Sequence, residues 1–312
     1  MTVDEAKGAA AEDVGSVEEG PIAFLLAALA RDDPQGVVAA LDGRLHQGRP
    51  GSPSALRQQL GERLAVALTA PGGRITRWID ALSTSPSPTA RQVACLLLAN
   101  RYEADRAGVL KAAAALADDA HWEVREAAGG LLGALLDRDF DRIRRHAEGL
   151  RSSKSANLRR AVILAAKYAA RRDRPERVAA LLDLLEPLLR DPEPYVRRNL
   201  GPFAIGDALL RADPKTTLQR LREWSHIRDP IVRWNVAMAF STAIGSFHWP
   251  AAKAILERLA KGPEPVVRMA VAKAMKRCRQ RYTDDVEEVR RRWLLDEARA
   301  PTAELVGVPR KK

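Results

Sequence analysis

The sequence predicts an all-α fold, a superhelix of about six helix pairs arranged as a solenoid. Two observations carry this prediction: a segment that recurs along the chain, and a composition suited to helix-on-helix packing. The recurring segment reads DPEPYVRRNLGPFAIGD at Asp191–Asp207, where an acidic residue, a proline-rich turn and a Val-Arg pair open an apolar helix. Self-similarity at a fixed period is typical of solenoids, in which each unit buries its apolar face only against its neighbours.

Related segments occur before and after this one, and an arginine occupies the same place in each. The copies begin at Ser85, Asp118, Ser153, Ile227 and Gly262. The aligned arginines are Arg91, Arg125, Arg159, Arg197, Arg233 and Arg268. Subtracting successive numbers gives steps of 34, 34, 38, 36 and 35 residues. Six copies at this spacing predict repeated helix pairs in which each second helix begins at the Val-Arg pair.

The composition is that of a helical protein with a basic body. The chain has 312 residues, of which 46% are hydrophobic but only 5% aromatic, a balance that helix packing favours. The formal net charge is +11, although residues 1–20 contain six acids and one lysine, a local −5. The remainder therefore carries +16, since +11 minus −5 is +16. A basic body favours a polyanionic partner such as nucleic acid, although a solvated arginine-rich surface would have the same composition.

The repeat period, the charge pattern and the positions of prolines divide the chain into four regions. Residues 1–19 lack periodicity and carry like charge, which predicts a disordered acidic N-terminus. Residues 20–84 predict N-terminal capping helices or a degenerate first repeat, which a solenoid needs at an open end. Residues 85–299 hold the repeats, and residues 300–312, with two prolines and a basic end, predict a disordered tail.

Several kinds of chemistry have no support in the sequence. Cys95 and Cys278 lie far apart, with neither metal-ligand spacing nor a disulfide pattern, which favours a reducing cytoplasm. The five histidines show no paired helical spacing, and no glycine-rich phosphate loop follows a strand. The longest early apolar run, residues 22–30, is too short to span a bilayer. The expectation is a cytoplasmic protein, monomeric or weakly associated, without a metal or other cofactor and without a membrane partner.

The aligned arginines are expected to hold the repeats in register. Each lies at the edge of the apolar face of its helix, within reach of an acidic residue in a neighbouring turn. An arginine–carboxylate fork adds geometric specificity as well as energy, so a structural ladder is favoured over ligand contact. The predicted ladder residues are Arg125, Arg159, Arg197, Arg233, Arg268, Asp119, Asp191 and Asp229.

A second set of side chains is expected to point away from the core when each residue is stepped by 100°. If the second helices line the inner surface, these positions form a basic and partly aromatic concave face. Such a face suits a phosphate backbone with an unstacked base against a ring. A peptide-binding groove could use the same tryptophan and methionines as contacts. The predicted nucleic-acid-binding residues are Arg160, Lys167, Arg171, Arg198, Trp234, Lys273 and Lys276.

The central second helix contains two unusual features. Pro202 cannot donate to the carbonyl of Arg198, which predicts a kink. We favour a structural role, in which the kink sets the curvature of the superhelix, over a functional one, in which the freed carbonyl contacts a ligand. The same 100° step places Ile205 and Leu209 on the outward face and Asp207 towards the core, where a carboxylate needs a partner. For Asp207, a ladder pair with Arg233 is favoured over a buried catalytic acid.

The D-x-x-x-x-V-R-x-x-A pattern resembles HEAT repeats over about two thirds of the chain. The segments LRRAVILAAKYAARRDRPERV at 158–178, HWEVREAA at 121–128 and DPEPYVRRNLGPFAIGD resemble the HEAT-like DNA alkylation repair glycosylases. The resemblance implies a basic concave surface for duplex DNA and release of alkylated bases without a metal, using concave tryptophans and a carboxylate. That family often carries an inner-face tryptophan where this chain has Leu164, and Pro202 occupies the equivalent place in the next repeat.

The leading hypothesis is a HEAT-repeat protein that binds duplex DNA through its concave face, in relation to DNA alkylation repair. The alternatives are a protein–protein scaffold without nucleic acid and an active alkylpurine DNA glycosylase. For a glycosylase, the candidate rings are Trp122 and Trp234, and the candidate catalytic carboxylates are Glu126 and Asp207. Neither carboxylate is clearly set opposite both Trp234 and a basic clamp, so DNA binding without efficient base release is predicted.

Overall fold

The computed structural model describes residues 27–37, 61–64, 66–68 and 74–308. Every regular element in these ranges is a helix, which confirms the predicted all-α fold. None of the described helices combines the length and the apolar character needed to cross a membrane. The residues group into two compact units, Met1–Leu131 and Leu132–Lys312. The predicted disorder of residues 1–19 concerns a part of the chain outside the described ranges.

The first unit begins its regular alternation of helices at Arg74. Its helices are α1 (Arg74–Ser83), α2 (Pro88–Arg101), α3 (Arg106–Ala117) and α4 (Trp122–Arg138), the last of which continues past Leu131. Short helical stretches also lie at 27–30, 34–37, 61–64 and 66–68. The side chains of Ser87 and Asp105 cap α2 and α3 by accepting from backbone N–H groups of the first turn. Helix α2 packs against both α1 and α3, and this packing buries Trp78, Val93 and Leu97 completely.

The second unit continues the same alternation. Its helices are α5 (Phe140–Arg151), α6 (Ala156–Ala169), α7 (Val178–Leu185), α8 (Pro194–Asn199), α9 (Leu210–Ala212), α10 (Pro214–Trp224), α11 (Pro230–Ala239), α12 (Ala243–Phe247), α13 (Trp249–Leu259), α14 (Pro265–Arg279), α15 (Thr283–Leu294) and α16 (Ala300–Val306). Two 3₁₀ turns, Pro175–Arg177 and Glu186–Arg190, flank α7, and a π-helix, Leu200–Leu209, joins α8 to α9.

The helices of the second unit form two layers. Helices α5, α7, α10 and α13 pack against one another in that order in one layer. The other layer contains α6, then α8 with the π-helix, then α11 and α14. Val196, Val232 and Val267 each precede an aligned arginine, and all three are completely buried between the layers. These second helices therefore bury the face that the repeated Val-Arg pair predicts.

The prediction of a disordered tail is wrong for residues 300–306, which form α16. Thr302, Ala303 and Val306 are buried, and α16 packs against α14 and α15. Residues 303 and 306 lie three apart, so a single turn of helix places both on one apolar face. Pro301 is compatible with this helix because it stands in the first turn, where its missing N–H has no partner to lose. The prediction for residues 309–312 lies outside the described ranges.

Candidate nucleic-acid interface

A groove with a volume of about 800 Å³ opens on the second unit. Its walls come from α8, the π-helix, α11, α12 and α14. Its basic side chains are Arg197, Arg198, Arg211, Lys273 and Arg277. One carboxylate, that of Asp207, lies among them. The apolar surface includes Phe203, Trp234 and Met238, so the groove combines cationic edges with flat and apolar side chains.

The π-helix forms one wall of the groove and lies directly against α11. Pro202 has no N–H to donate, and the helix that contains it follows the i to i+5 pattern. An added Cβ on Gly201 would come within 2.6 Å of the Asn235 carbonyl oxygen. On Gly206 it would come within 2.1 Å of the Ala239 carbonyl oxygen. Only glycine permits this close approach of the two helix backbones.

Two polar side chains form hydrogen bonds with the backbone groups that become buried where the two helices approach. The amide oxygen of Asn235 accepts from the N–H of Gly201 at 3.2 Å, and its amide nitrogen donates to two backbone carbonyls. The hydroxyl of Thr242 donates to the carbonyl oxygen of Gly206 at 2.7 Å. Because buried backbone groups without partners are costly, these bonds stabilise the π-helix in its position.

The π-helix moves Asp207 away from the place predicted for it. Hydrogen bonds from i to i+5 change the number of residues per turn, so the 100° step no longer gives the correct face. Ile205 and Leu209, predicted to face outwards, are completely buried, whereas Asp207 lines the groove. The predicted pair between Asp207 and Arg233 is also wrong. The Asp207 carboxylate accepts instead from Arg211, at 2.5 Å and four residues further along.

Two aligned arginines form a fork with an aspartate of the next turn. Nε and Nη2 of Arg159 donate to the Asp191 carboxylate at 2.6 and 3.1 Å. Arg91 makes the same contacts with Asp119 at 2.7 and 3.1 Å. In both cases Nη1 donates to the carbonyls five and six residues earlier. The arginine therefore ties its own turn to the turn of the next repeat.

Three other aligned arginines also donate to a carbonyl of their own turn. Arg125, Arg233 and Arg268 each donate to the carbonyl six residues earlier, at distances from 2.7 to 3.0 Å. In the turn that follows Arg233, Gly262 occupies the place of the aspartate. The carboxylate of Glu264 comes within 3.7 Å of that arginine instead. The predicted ladder is thus interrupted where the next turn lacks an aspartate.

Arg197 departs from the ladder, contrary to the prediction. Its guanidinium lies over the ring of Trp234, 5.5 Å from the ring centroid, and lines the groove. Its expected partner Asp229 instead caps α11 by accepting from the N–H groups of Ile231 and Val232 at 2.8 and 3.2 Å. Within the described residues, Nε of Arg197 has no hydrogen-bond partner. Arg197 is therefore a residue of the groove.

Two family models match the sequence. The model for HEAT repeats matches residues 181–276, which include α8, the π-helix, α11 and α12. The model described as DNA alkylation repair enzyme matches residues 51–205, which end within the π-helix. The chain therefore contains HEAT repeats, and residues 51–205 are similar to the DNA alkylation repair family. The resemblance predicted from the sequence is confirmed, and the match supports a role related to DNA repair.

Comparisons with individual proteins add no further identification. No curated protein sequence matches the chain. A solved structure of an engineered protein from the Northeast Structural Genomics Consortium aligns with 18% sequence identity and a TM-score of 0.28. The alignment covers 82% of this chain and 85% of that chain. A TM-score this low carries no argument about fold or function.

The HEAT-repeat groove contains some of the predicted nucleic-acid-binding residues. Arg198, Trp234 and Lys273 line it, and Arg198 and Lys273 are exposed. Lys276 is exposed on α14 but does not line the groove. Sequence reasoning missed Phe203, Arg211 and Arg277. The four-residue spacing from Lys273 could have indicated Arg277, whereas the position of Arg211 depends on the π-helix.

Besides Lys276, three more predicted binding residues lie outside the groove, and the prediction is wrong for Arg160. Only 8% of Arg160 is exposed, and its guanidinium lies over the Tyr195 ring, 4.9 Å from the centroid. Leu164, on the same helix, is completely buried. Helix α6 packs against α8 and the π-helix, which covers the face that was predicted to be free. Lys167 lies over a neighbouring tyrosine, and Arg171 forms ion pairs with two aspartates.

The candidate ring and carboxylate at the start of α4 belong to the first unit. Trp122 is 60% exposed, and Glu126 is half-buried one turn further along the helix. Asp207 is the candidate carboxylate that lines the groove of the second unit.

The two cysteines are core residues. Cys95 and Cys278 are both buried and free. Burial raises the pKa of each thiol to about 12, so both remain protonated near neutral pH, and a protonated thiol is a poor nucleophile and metal ligand. Within the described ranges, no three His, Cys, Asp or Glu side chains gather as a metal-binding group.

Proposed function

We propose that this HEAT-repeat protein binds duplex DNA through the groove of its second unit, in a role related to DNA repair, and releases no base efficiently. The charge of the groove carries the proposal. Five cationic side chains surround a single carboxylate, and that carboxylate is already paired with Arg211. A surplus of this kind suits a polyanion, because each cation that contacts a phosphate releases a condensed counterion.

The arrangement of the cations suits a sugar–phosphate backbone. Arg198 lines the groove from α8, and Lys273 lines it from α14. Both side chains are exposed, so phosphates can reach them from solvent. Contacts to phosphates fix the position of the DNA but carry no sequence information. The proposed binding is therefore independent of sequence and weakened by salt.

The ion pair between Asp207 and Arg211 favours binding without efficient base release. When a cationic base leaves, positive charge grows on the sugar, and a preorganised carboxylate can stabilise that charge. The Asp207 carboxylate lies 2.5 Å from the guanidinium of Arg211, which offsets its negative charge. An acid with a cationic partner this close gives less stabilisation to a second cation.

A salt-dependent titration with fluorescein-labelled duplex DNA tests the binding. Replacing Arg197, Arg198, Lys273 and Arg277 with alanine should weaken binding at every sequence. The slope of log affinity against log salt should flatten by about 0.9 for each phosphate that the variant no longer neutralises. The double substitution Lys215→Ala and Arg222→Ala removes two exposed cations that do not line the groove and should change neither quantity. Equal affinity and slope in all three proteins would favour the protein–protein scaffold.

A base-release assay tests the absence of catalysis. The purified protein is incubated with methylated duplex DNA, and the freed 3-methyl- and 7-methylpurines are counted. We expect release at background level. Release well above background that disappears in Glu126→Gln or Asp207→Asn, while DNA binding persists, would establish an active glycosylase.

A further inference from the structure

Two elements of the groove continue for one more turn and meet outside it. Helix α12 lines the groove with its first residues and ends at Phe247. Helix α14 lines it with Lys273 and Arg277, and Arg281 follows four residues later. The guanidinium of Arg281 lies over the Phe247 ring, 3.7 Å from the centroid. The cationic and aromatic surface therefore extends beyond the groove that the proposed function uses.

The Phe247–Arg281 pair is fixed in place and remains accessible. The hydroxyl of Tyr282 donates to the carbonyl oxygen of Phe247 at 2.9 Å. Phe247 is 46% exposed, and Arg281 is also exposed. A large aromatic side chain so exposed contributes little to the core, and the part of the ring that Arg281 leaves uncovered can contact a ligand.

The cations that lead from the groove to this pair form a row. Lys273 and Arg277 are four residues apart on one side of α14, about 6 Å apart along the helix axis. Arg281 follows in the turn that ends this helix. Among the described residues, none of the three takes part in an ion pair with a carboxylate. The row is therefore free of internal neutralisation and can accept successive phosphates of one strand.

The same arrangement of a guanidinium over a ring occurs within the groove and beyond its end. Arg197 lies over Trp234 inside the groove, and Arg281 lies over Phe247 outside it. In an intact duplex, neighbouring base pairs cover both faces of every base, so no base face can reach these rings. Rings alternating with cations are the usual means of holding unpaired nucleotides, because every base has a face that can stack.

We infer that the groove, together with the Phe247–Arg281 pair, holds a short single-stranded DNA segment that adjoins a duplex. The inference rests on the proposed function and specifies its ligand. The cationic row holds the backbone of the unpaired strand, and Trp234 and Phe247 each stack against one of its bases. DNA that contains a gap is the ligand class expected from this arrangement.

The test compares three labelled DNAs of equal length: an intact duplex, the same duplex with a short central gap, and the single strand. The gapped duplex should bind about tenfold more tightly than the intact duplex, as expected for base–aromatic stacking. Phe247→Ala, which lies outside the groove, should remove most of this preference and leave duplex binding unchanged. Trp234→Ala should also remove most of the preference. Phe247→Leu, which keeps an apolar side chain without a flat ring, should behave like the alanine variant and controls for loss of folding. Arg222→Ala should leave all three affinities unchanged.

The outcomes separate this inference from the proposed function. Equal affinity for gapped and intact duplex, with binding still weakened by salt, would overturn the inference and leave the proposed function standing. A preference for gapped DNA that survives in Phe247→Leu and Trp234→Ala would also overturn it. Failure to bind any of the three DNAs would remove both proposals.

Discussion

Arg159 and Arg197 occupy the same place in successive repeats but have different partners. Arg159 is held by Asp191 and by the carbonyls of its own turn, whereas Arg197 lies over Trp234 in the groove. Arg197 follows the buried Val196, and Arg159 follows the part-buried Leu158. The role of the aligned arginine is therefore decided by the acceptors around it and by the helix that it opens.

The helices that follow these two arginines also differ. Arg159 belongs to the regular helix α6, whereas the short helix that holds Arg197 continues as the π-helix. The acids of the next turns differ as well. Asp191 accepts one backbone N–H and the arginine fork, and Asp229 accepts two backbone N–H groups. The repeat of Arg197 thus lacks the fork and supplies the π-helix wall of the groove.

The comparison predicts that removing Asp191 costs more stability than removing Asp229. The Asp191 side chain is only 3% exposed, and Asp191→Ala would leave the guanidinium of Arg159 without its partner, at a cost of about 3 kcal/mol. Asp229→Ala removes a helix cap and should cost about 1 kcal/mol. Urea denaturation followed by circular dichroism measures both. Equal destabilisation would mean that the fork adds nothing beyond capping.

A second prediction concerns the close packing behind the π-helix. Gly206→Ala would press a Cβ against the Ala239 backbone, and overpacking of this kind should destabilise the protein by about 2 kcal/mol. Gly149 lies in α5 with no atom within 4 Å of an added Cβ, so Gly149→Ala should stabilise by up to about 1 kcal/mol. Thermal unfolding of the two variants should therefore shift in opposite directions. An unchanged or higher melting temperature in Gly206→Ala would contradict the close packing.

A third prediction is that Arg197 contributes to DNA binding and Arg159 to stability. Arg197→Ala should change the free energy of unfolding by less than about 1 kcal/mol, because this arginine forms no fork. The salt slope of duplex binding should fall by about one unit in that variant. Arg159→Ala should lower stability and leave the salt slope unchanged. If Arg159→Ala altered the slope and Arg197→Ala did not, the two roles would be reversed.

A fourth, smaller effect should appear in acid. Burial alone would raise the pKa of Asp119, but hydrogen bonds from Arg91 and from the N–H of His121 outweigh burial and hold that pKa below its usual value. A depressed carboxyl pKa contributes stability that is present above the unfolded pKa of about 3.9 and is lost as the pH falls through the folded pKa. Stability against urea should therefore decline more steeply below about pH 4 in the natural protein than in Asp119→Asn. Parallel acid profiles would contradict this.

The repeat spacing predicted the helix pairs because a buried valine recurs near the start of several second helices. Val196, Val232 and Val267 are all buried. The place of Asp207 could not be predicted, because it depends on the hydrogen-bond pattern of the π-helix. That pattern is stabilised by the close approach of two glycines to α11, which is a tertiary interaction.

Arg160 and Arg198 illustrate the same limit on the binding surface. Both immediately follow an aligned arginine, so the sequence places them identically. Tyr195 covers Arg160, whereas Arg198 is exposed and lines the groove. The difference arises from the neighbouring helix, which the local pattern does not encode.

The π-helix also bears on what a repeat protein can recognise. An array of identical repeats has translational symmetry, so a polymer bound along it could slide by one repeat and find an equivalent site. Among the described residues, the π-helix Leu200–Leu209 occurs in one repeat alone, and it breaks that symmetry. A strand that fits its groove therefore has one preferred register, and the protein can mark a single position on a polymer whose backbone is otherwise uniform.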